Sequence, residues 1–207
     1  MVKAFNLTII NSAPTEQLIM IVLNPNLMTQ QPESIYKKCF PVIWQVHDFA
    51  PSSEHGCLLL KFDSIVNVVL QDKTKDDEIY AKARLPVRGK EKFNIAKLDM
   101  GDYGLIGVND GHGPIGAYIY NPFQTSFDVG LADDQGKSYL TMELPAKESL
   151  TFSFEVEFAV VPLTQVFKVQ SKLKDGVTQR PWFSFKLADL KMEDISFHFD
   201  GNKITDQ

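Results

Sequence analysis

The sequence predicts an all-β fold, an antiparallel β-sandwich with little helix. Three observations predict it. Apolar residues recur at every second position over many short segments: Phe152, Phe154, Val156 and Phe158 alternate with Ser153, Glu155 and Glu157, the beat of a strand with one buried and one wet face. Turn-forming clusters separate the segments at short intervals, among them Asn24-Pro25-Asn26, Asn109-Asp110-Gly111, Asn121-Pro122, Asp133-Asp134-Gln135-Gly136, Lys174-Asp175-Gly176 and Asp200-Gly201-Asn202. No stretch holds a helical period for long, and many short strands at such spacing read as a sandwich or barrel.

Taken in order, Phe5, Leu7 and Ile9 alternate with Asn6 and Thr8 in a first strand. Residues 18–23, 42–46, 58–60 and 117–120 are more continuously apolar and predict strands covered on both faces. The best helical candidate is short, residues 32–38, with Pro32 in its first turn and Lys37-Lys38 at its end. The charged run 72–78 predicts a solvated hairpin tip. Later strands follow at 127–131, 140–144, 151–158, 183–187 and 195–199, each alternating Phe, Leu, Ile, Val or Met with polar residues. Two segments echo each other. Residues 7–12 lead through Asn11 into 18–23, and residues 117–122 lead through Asn121 into 127–131. That predicts one compact unit made of two pseudo-repeats, 1–113 and 114–207.

Composition narrows the function. The chain has 207 residues, 44% of them hydrophobic and 23% charged, which is globular usage and excludes a disordered chain. The net charge is −5, so a general polyanion-binding face, and with it nucleic acid, is not expected. The longest apolar run is far too short to span a bilayer, and Asn6 and Thr8 interrupt the run a signal peptide needs, so the expectation is a cytoplasmic protein or one exported by a non-classical route. Cys39 and Cys57 read as two buried thiols of a reducing compartment, with a disulfide as the alternative.

Several segments are similar to the RhiA family, the rhizosphere-induced proteins. The opening FNLTIINSAPTEQLIMIVLNPNL resembles that family's strand, Asn-containing bend, strand and Pro-containing loop. FPVIWQVHDF resembles its strand centred on a Trp, here Trp44. FDVGLADDQGKSYLTMELPAKESLTFSFEVEFAV resembles its later strand pair, and LKMEDISFHFDGNKI its closing hairpin. A second Trp shortly after the first is replaced by the Ala50-Pro51-Ser52-Ser53 region, and the aromatic loop after Phe154 by Glu155, Val156 and Glu157. The resemblance implies an all-β fold and no established activity.

No GxSxG, Walker or GxGxxG element is present, and no zinc-ligand spacing. His47-Asp48 with His55 is the candidate metal or His/Asp enzyme loop, with Cys57 as a candidate thiol nucleophile. Asn109 to Gly113 and Asp133-Asp134 are candidate cation loops that read first as turns. Glu155 and Glu157 lie about 7 Å apart along one strand face and read as a solvated pair. Gly101-Asp102-Tyr103-Gly104 lacks the following helix that a phosphate cradle needs. The remaining candidates are aromatic platforms: Tyr103, Tyr118, Tyr120, Tyr139 and Trp182, with Trp44 from the family-like strand. They point to a non-catalytic binding protein without cofactor or metal. Its partner would be a carbohydrate, a lipid or a protein surface, and self-association through edge strands is a further option.

Overall fold

The computed structural model describes residues 4–23, 39–54, 56–63, 66–88, 90–108, 116–152, 157–163, 167–173, 183–186, 194–199 and 204–206. Among them no α-helix occurs, and one 3-10 turn spans Ser52–Glu54. The candidate helix at 32–38 lies outside the described residues.

The described residues form four sheets. The first orders β17 (Ile204–Asp206), β16 (Asp194–Phe199), β1 (Ala4–Asn11) and β5 (Cys57–Asp63). The second orders β15 (Phe183–Lys186), β14 (Glu157–Pro162), β2 (Gln17–Leu23) and β4 (Ile43–Phe49). The third orders β3 (Cys39–Pro41), β12 (Ser138–Leu144), β11 (Phe127–Ala132), β6 (Asn67–Lys73) and β7 (Ile79–Pro86). The fourth orders β13 (Ser149–Phe152), β10 (Gly116–Tyr120), β8 (Lys90–Lys97) and β9 (Tyr103–Val108). The architecture is the all-β, sandwich-like one the alternation predicts, with two departures from a purely antiparallel plan. β1 pairs with β16, and β10 with β8, in parallel. Parallel neighbours need a long crossover rather than a hairpin: β1 and β16 lie near opposite ends of the chain, and residues 98–115 separate β8 from β10.

One contiguous core runs through all four sheets. It takes Leu7 and Ile9 from β1, Ile19 and Ile21 from β2, Val68 and Leu70 from β6, and Phe93 and Ile95 from β8. These are the inward phase of each alternation. Burying such a side chain contributes roughly 1.5–3 kcal/mol, so these strands are held by packing far more than by propensity. A smaller cluster of Met20, Val22, Ile43, Ala159, Val161 and Leu173 covers the outer face of β2 and β14. This is why residues 19–22 are apolar without alternation: both faces of β2 are buried.

Three beats were broken. Residues 151–152 belong to β13 and residues 157–158 to β14, in different sheets; alternation cannot reveal a change of sheet. Residues 58–60 are not covered on both faces: β5 is an edge strand, Leu58 and Leu60 point inward, and Leu59 is 53% exposed. Cys57 shares the outward phase, so its thiol is free and exposed rather than buried. In 117–120, Ala117 and Ile119 are buried while Tyr118 and Tyr120 are half-buried on the other face.

Two buried asparagines fix the bends out of β1 and β10. Asn11 Oδ1 accepts from the Ala13 N–H at 2.9 Å, and its Nδ2 donates to the carbonyls of Thr15, Phe49 and Ala50 at 3.3, 3.2 and 2.7 Å. Asn121 Oδ1 accepts from the Phe123 N–H at 3.0 Å, and its Nδ2 donates to Thr125, Leu144 and Pro145 at 2.8, 3.4 and 2.9 Å. Each side chain satisfies loop backbone that no ladder reaches, as buried polar groups require.

Candidate functional site

The site begins with a fault in the third sheet. β6 and β11 pair only as far as Leu70 and Val129, although β6 runs on to Lys73 and β11 starts at Phe127. At the same level β7 carries a bulge: Leu70 faces Ala83 and Gln71 faces Ala81, leaving Lys82 as the extra residue. A bulge bends its strand and sharpens the twist. Between the diverging ends lies a groove of about 430 Å³. β6 lines it with Gln71, Asp72 and Lys73; Ser126, Phe127 and Asp128 face them. Lys82, Tyr103 and Glu143 complete the wall and Leu70 lies beneath.

Asp128 stands directly opposite Glu143 on β12. Two carboxylates in that position repel, and two lysines stand beside Asp128. Lys73 Nζ is 3.5 Å and Lys172 Nζ 3.9 Å from Asp128 Oδ2. The Lys172 ammonium also lies 5.1 Å from the centroid of the Phe40 ring, a cation–π contact that favours holding it there. Lys82 hydrogen-bonds Asp102, and that bond raises the lysine pKa and lowers that of the aspartate. Both partners are solvent-exposed, so the pair orients Lys82 more than it stabilises the fold.

The floor is rigid. Gln71 Nε2 reaches across β11 to donate to Ser138 Oγ and to the Leu140 carbonyl, both at 2.9 Å. Gly130 makes that reach feasible: a Cβ there would stand 1.9 Å from the Leu140 carbonyl oxygen and 2.7 Å from Gln71 Nε2. Gln71 Oε1 is buried and has no hydrogen-bond partner among the described residues. Tyr103 is held edge-on by Phe123 and Phe127 at centroid distances of 5.0 and 4.8 Å. The groove therefore presents alternating donors and acceptors beside a half-buried, immobilised aromatic ring. That is equipment for hydrogen-bonding a polar molecule and excluding water from one of its faces.

The other sequence candidates fall elsewhere. Trp44 and Tyr139 are core residues, each 2% exposed, and offer no platform. The reason is a pair of bulges. Ile21 and Val22 face Gln45 and Ile43, so Trp44 is the extra residue of β4; Leu131 and Ala132 face Leu140 and Ser138, so Tyr139 is the extra residue of β12. Each bulge turns its aromatic inward, where the two rings meet edge to face at 5.3 Å and both contact Phe158. Trp44 Nε1 donates to Asp133 Oδ2 at 2.9 Å. Asp133 Oδ1 accepts from the N–H groups of Gln135 and Lys137 at 2.9 and 2.7 Å, so this carboxylate organises the β11–β12 hairpin, the turn reading of Asp133-Asp134. Tyr118 and Tyr120 lie together on β10, away from the groove lining, and only Tyr103 joins the groove. Trp182, His55, Glu155 and the 109–113 loop lie outside the described residues.

His47 and Asp48 are consecutive on β4 and so project to opposite faces of the strand. His47 Nε2 is 2.7 Å from Gln45 Oε1 on its own face. Burial, followed by nearby Lys137, lowers the His47 pKa against the opposing pull of Asp48. No group of three His, Cys, Asp or Glu side chains that could hold a metal occurs among the described residues. No helix among them is long and apolar enough to cross a membrane.

Sequence reasoning missed Gln71, Lys73, Lys82, Asp128 and Glu143. They come from four separate strands, β6, β7, β11 and β12, and the one local signal is a glutamine directly following the apolar Val68-Val69-Leu70. No family model, curated protein or solved structure matches the chain.

Proposed function

We propose that the protein is a non-catalytic binding protein, of the RhiA-like kind its sequence suggests, and that its ligand is a saccharide held in the groove between β6 and β11. The observation that carries this reading is the juxtaposition of Tyr103 with Asp128, Glu143, Lys73 and Gln71 in one groove of about 430 Å³. A neutral, many-hydroxylated molecule needs donors and acceptors at close intervals and one apolar ring face to lie against. A simple anion or cation suits the groove less well, because lysines and carboxylates already offset one another there. An exposed groove of this size fits one or two sugar rings and modest affinity.

The test is a glycan array followed by calorimetry with the best binder. Binding that falls at least tenfold in both Asp128→Ala and Glu143→Ala supports the reading. An array without a single binder, or a binder indifferent to both substitutions, refutes it.

One observation favours a second reading, a lipid surface. At the tip of the β8–β9 hairpin Met100 is 96% and Leu98 48% exposed, and apolar side chains displayed on a tip can enter a headgroup layer. Liposome pelleting that is lost in Leu98→Ser/Met100→Ser would support it; a protein that stays in the supernatant with both neutral and anionic vesicles would dismiss it.

A further inference from the structure

Two of the sheets repeat the other two strand for strand, apart from β3, which pairs with β12 at one edge of the third sheet and has no counterpart among the described residues. The order β17-β16-β1-β5 is matched by β9-β8-β10-β13, with the parallel pair in the middle both times. The order β15-β14-β2-β4 is matched by β7-β6-β11-β12. The match extends to single residues. Asn11 ends β1 and Asn121 directly follows β10, each has a Thr four residues on, and each makes the same set of bonds: to the amide two residues on, to the Thr carbonyl, and to the carbonyls of the last residue of β4 or β12 and of the residue after it. Their own N–H groups donate to Gly56 and Glu148, the residues just before β5 and β13. Trp44 and Tyr139 are the bulged residues of the equivalent β4 and β12, and they touch. Alternation alone repeats in any sandwich; a buried Asn with the same bonds at the same bend, and a bulge at the same rung, do not.

The pairing also crosses over. In each sheet a two-stranded ladder of one half joins a ladder of the other: β1 and β2 pair with β16 and β14 of 157–206, and β10 and β11 pair with β8 and β6 of 67–108. Neither half contains a complete sheet of its own.

We infer that the chain is a fused pair of copies of one unit, 4–108 and 116–206, in which each copy lends four strands to complete the sheets of the other; the partner that each half's surface fits is a second copy of the same unit. Resting on the proposed groove, a corollary follows. At the rungs matching Asp128, Glu143 and Gln71 the other arrangement carries Leu18, Asp48 and Leu163, so the ligand chemistry belongs to one of the two arrangements and the chain holds one ligand.

The test uses the whole chain and no ligand, so it stands or falls apart from the saccharide reading. A protease site is inserted between Asp110 and Gly111 and the folded protein is cut there. Exchange predicts that the two pieces elute as one species of the parent's mass with an unchanged far-UV spectrum. It further predicts a melting temperature that now rises with protein concentration, because unfolding separates two chains. Pieces that part under native conditions, each keeping its β spectrum, would overturn the exchange. Equivalence of the copies is tested by circular permutation, with 116–207 placed before 1–108 through glycine joints of several lengths. A permutant with the parent's spectrum and a similar melting temperature supports duplication; failure to fold at every joint length overturns it.

Discussion

Replacing Asn121 tests how the bends are held. The residue is fully buried, and its amide serves one N–H group and three carbonyls. Asn121→Ala removes all of these partners at once. The 3.4 Å contact to Leu144 is weak, so three bonds matter, those with Phe123, Thr125 and Pro145. A buried group left unpaired costs about 1–3 kcal/mol. These three are only partly buried, and water reaches some of them, so a loss of about 3 kcal/mol is expected. For a chain of this length that lowers the melting temperature by about 6–12 °C. Asn11→Ala should cost a similar amount, since its bonds are the same in kind and number. Asn121→Asp adds a sign. It keeps the acceptor but aims a carboxylate at carbonyl oxygens, which raises the folded pKa of the introduced acid above its unfolded value near 3.9. Such a group costs little below the unfolded pKa, where it is neutral in both states. The cost then grows with rising pH until the folded pKa is passed. Urea melts at pH 3.5, 5 and 7 measure this. If Asn121→Ala unfolds at the parent's midpoint, or Asn121→Asp shows no pH dependence, the bends are not held by these side chains.

The same packing sets further outcomes. Gly130→Ala should abolish folding or cost more than about 3 kcal/mol, because its Cβ meets main chain on β12 rather than a movable side chain; a folded variant with parent-like stability by thermal melt would contradict the Gln71 crossing. Trp44→Phe keeps the ring in the core but leaves Asp133 without its indole donor, for an expected loss of about 2 kcal/mol by denaturant titration. The His47 pKa is lowered in the folded state, so the folded protein binds fewer protons there than the unfolded chain. His47 therefore contributes nothing well above pH 6.5 and destabilises as the pH falls from there towards its folded pKa. His47→Gln should flatten that part of the stability profile between about pH 7 and 5. Lys82→Ala should leave the melting midpoint unmoved, since its exposed pair with Asp102 carries little stability.

The inward faces of the strands were legible because alternation is a local signal. Leu7, Ile9, Phe152 and Phe158 are buried as their phase requires. The turn at 133–136 and the charged tip at 72–78 were legible for the same reason. Bulges defeat this reasoning. One extra residue reverses the phase, which is how Trp44 and Tyr139 pass from expected surface platforms into the core. Sheet membership is equally hidden, because nothing in residues 151–158 announces that Phe152 and Phe158 serve different sheets. The groove was the least legible feature. It exists only where β6 and β11 part, and its polar residues come together through pairings between distant strands.

The central functional claim is that this groove is the ligand site. Its most direct test is an NMR titration of the labelled protein with the saccharide that binds best. Saturable shifts should be confined to the amides of residues 70–73, 82, 103, 126–128 and 143, with the Asn11 and Asn121 bends unmoved. Shifts clustered on Tyr118 and Tyr120, or at the β8–β9 tip around Met100, with the groove silent, would contradict it.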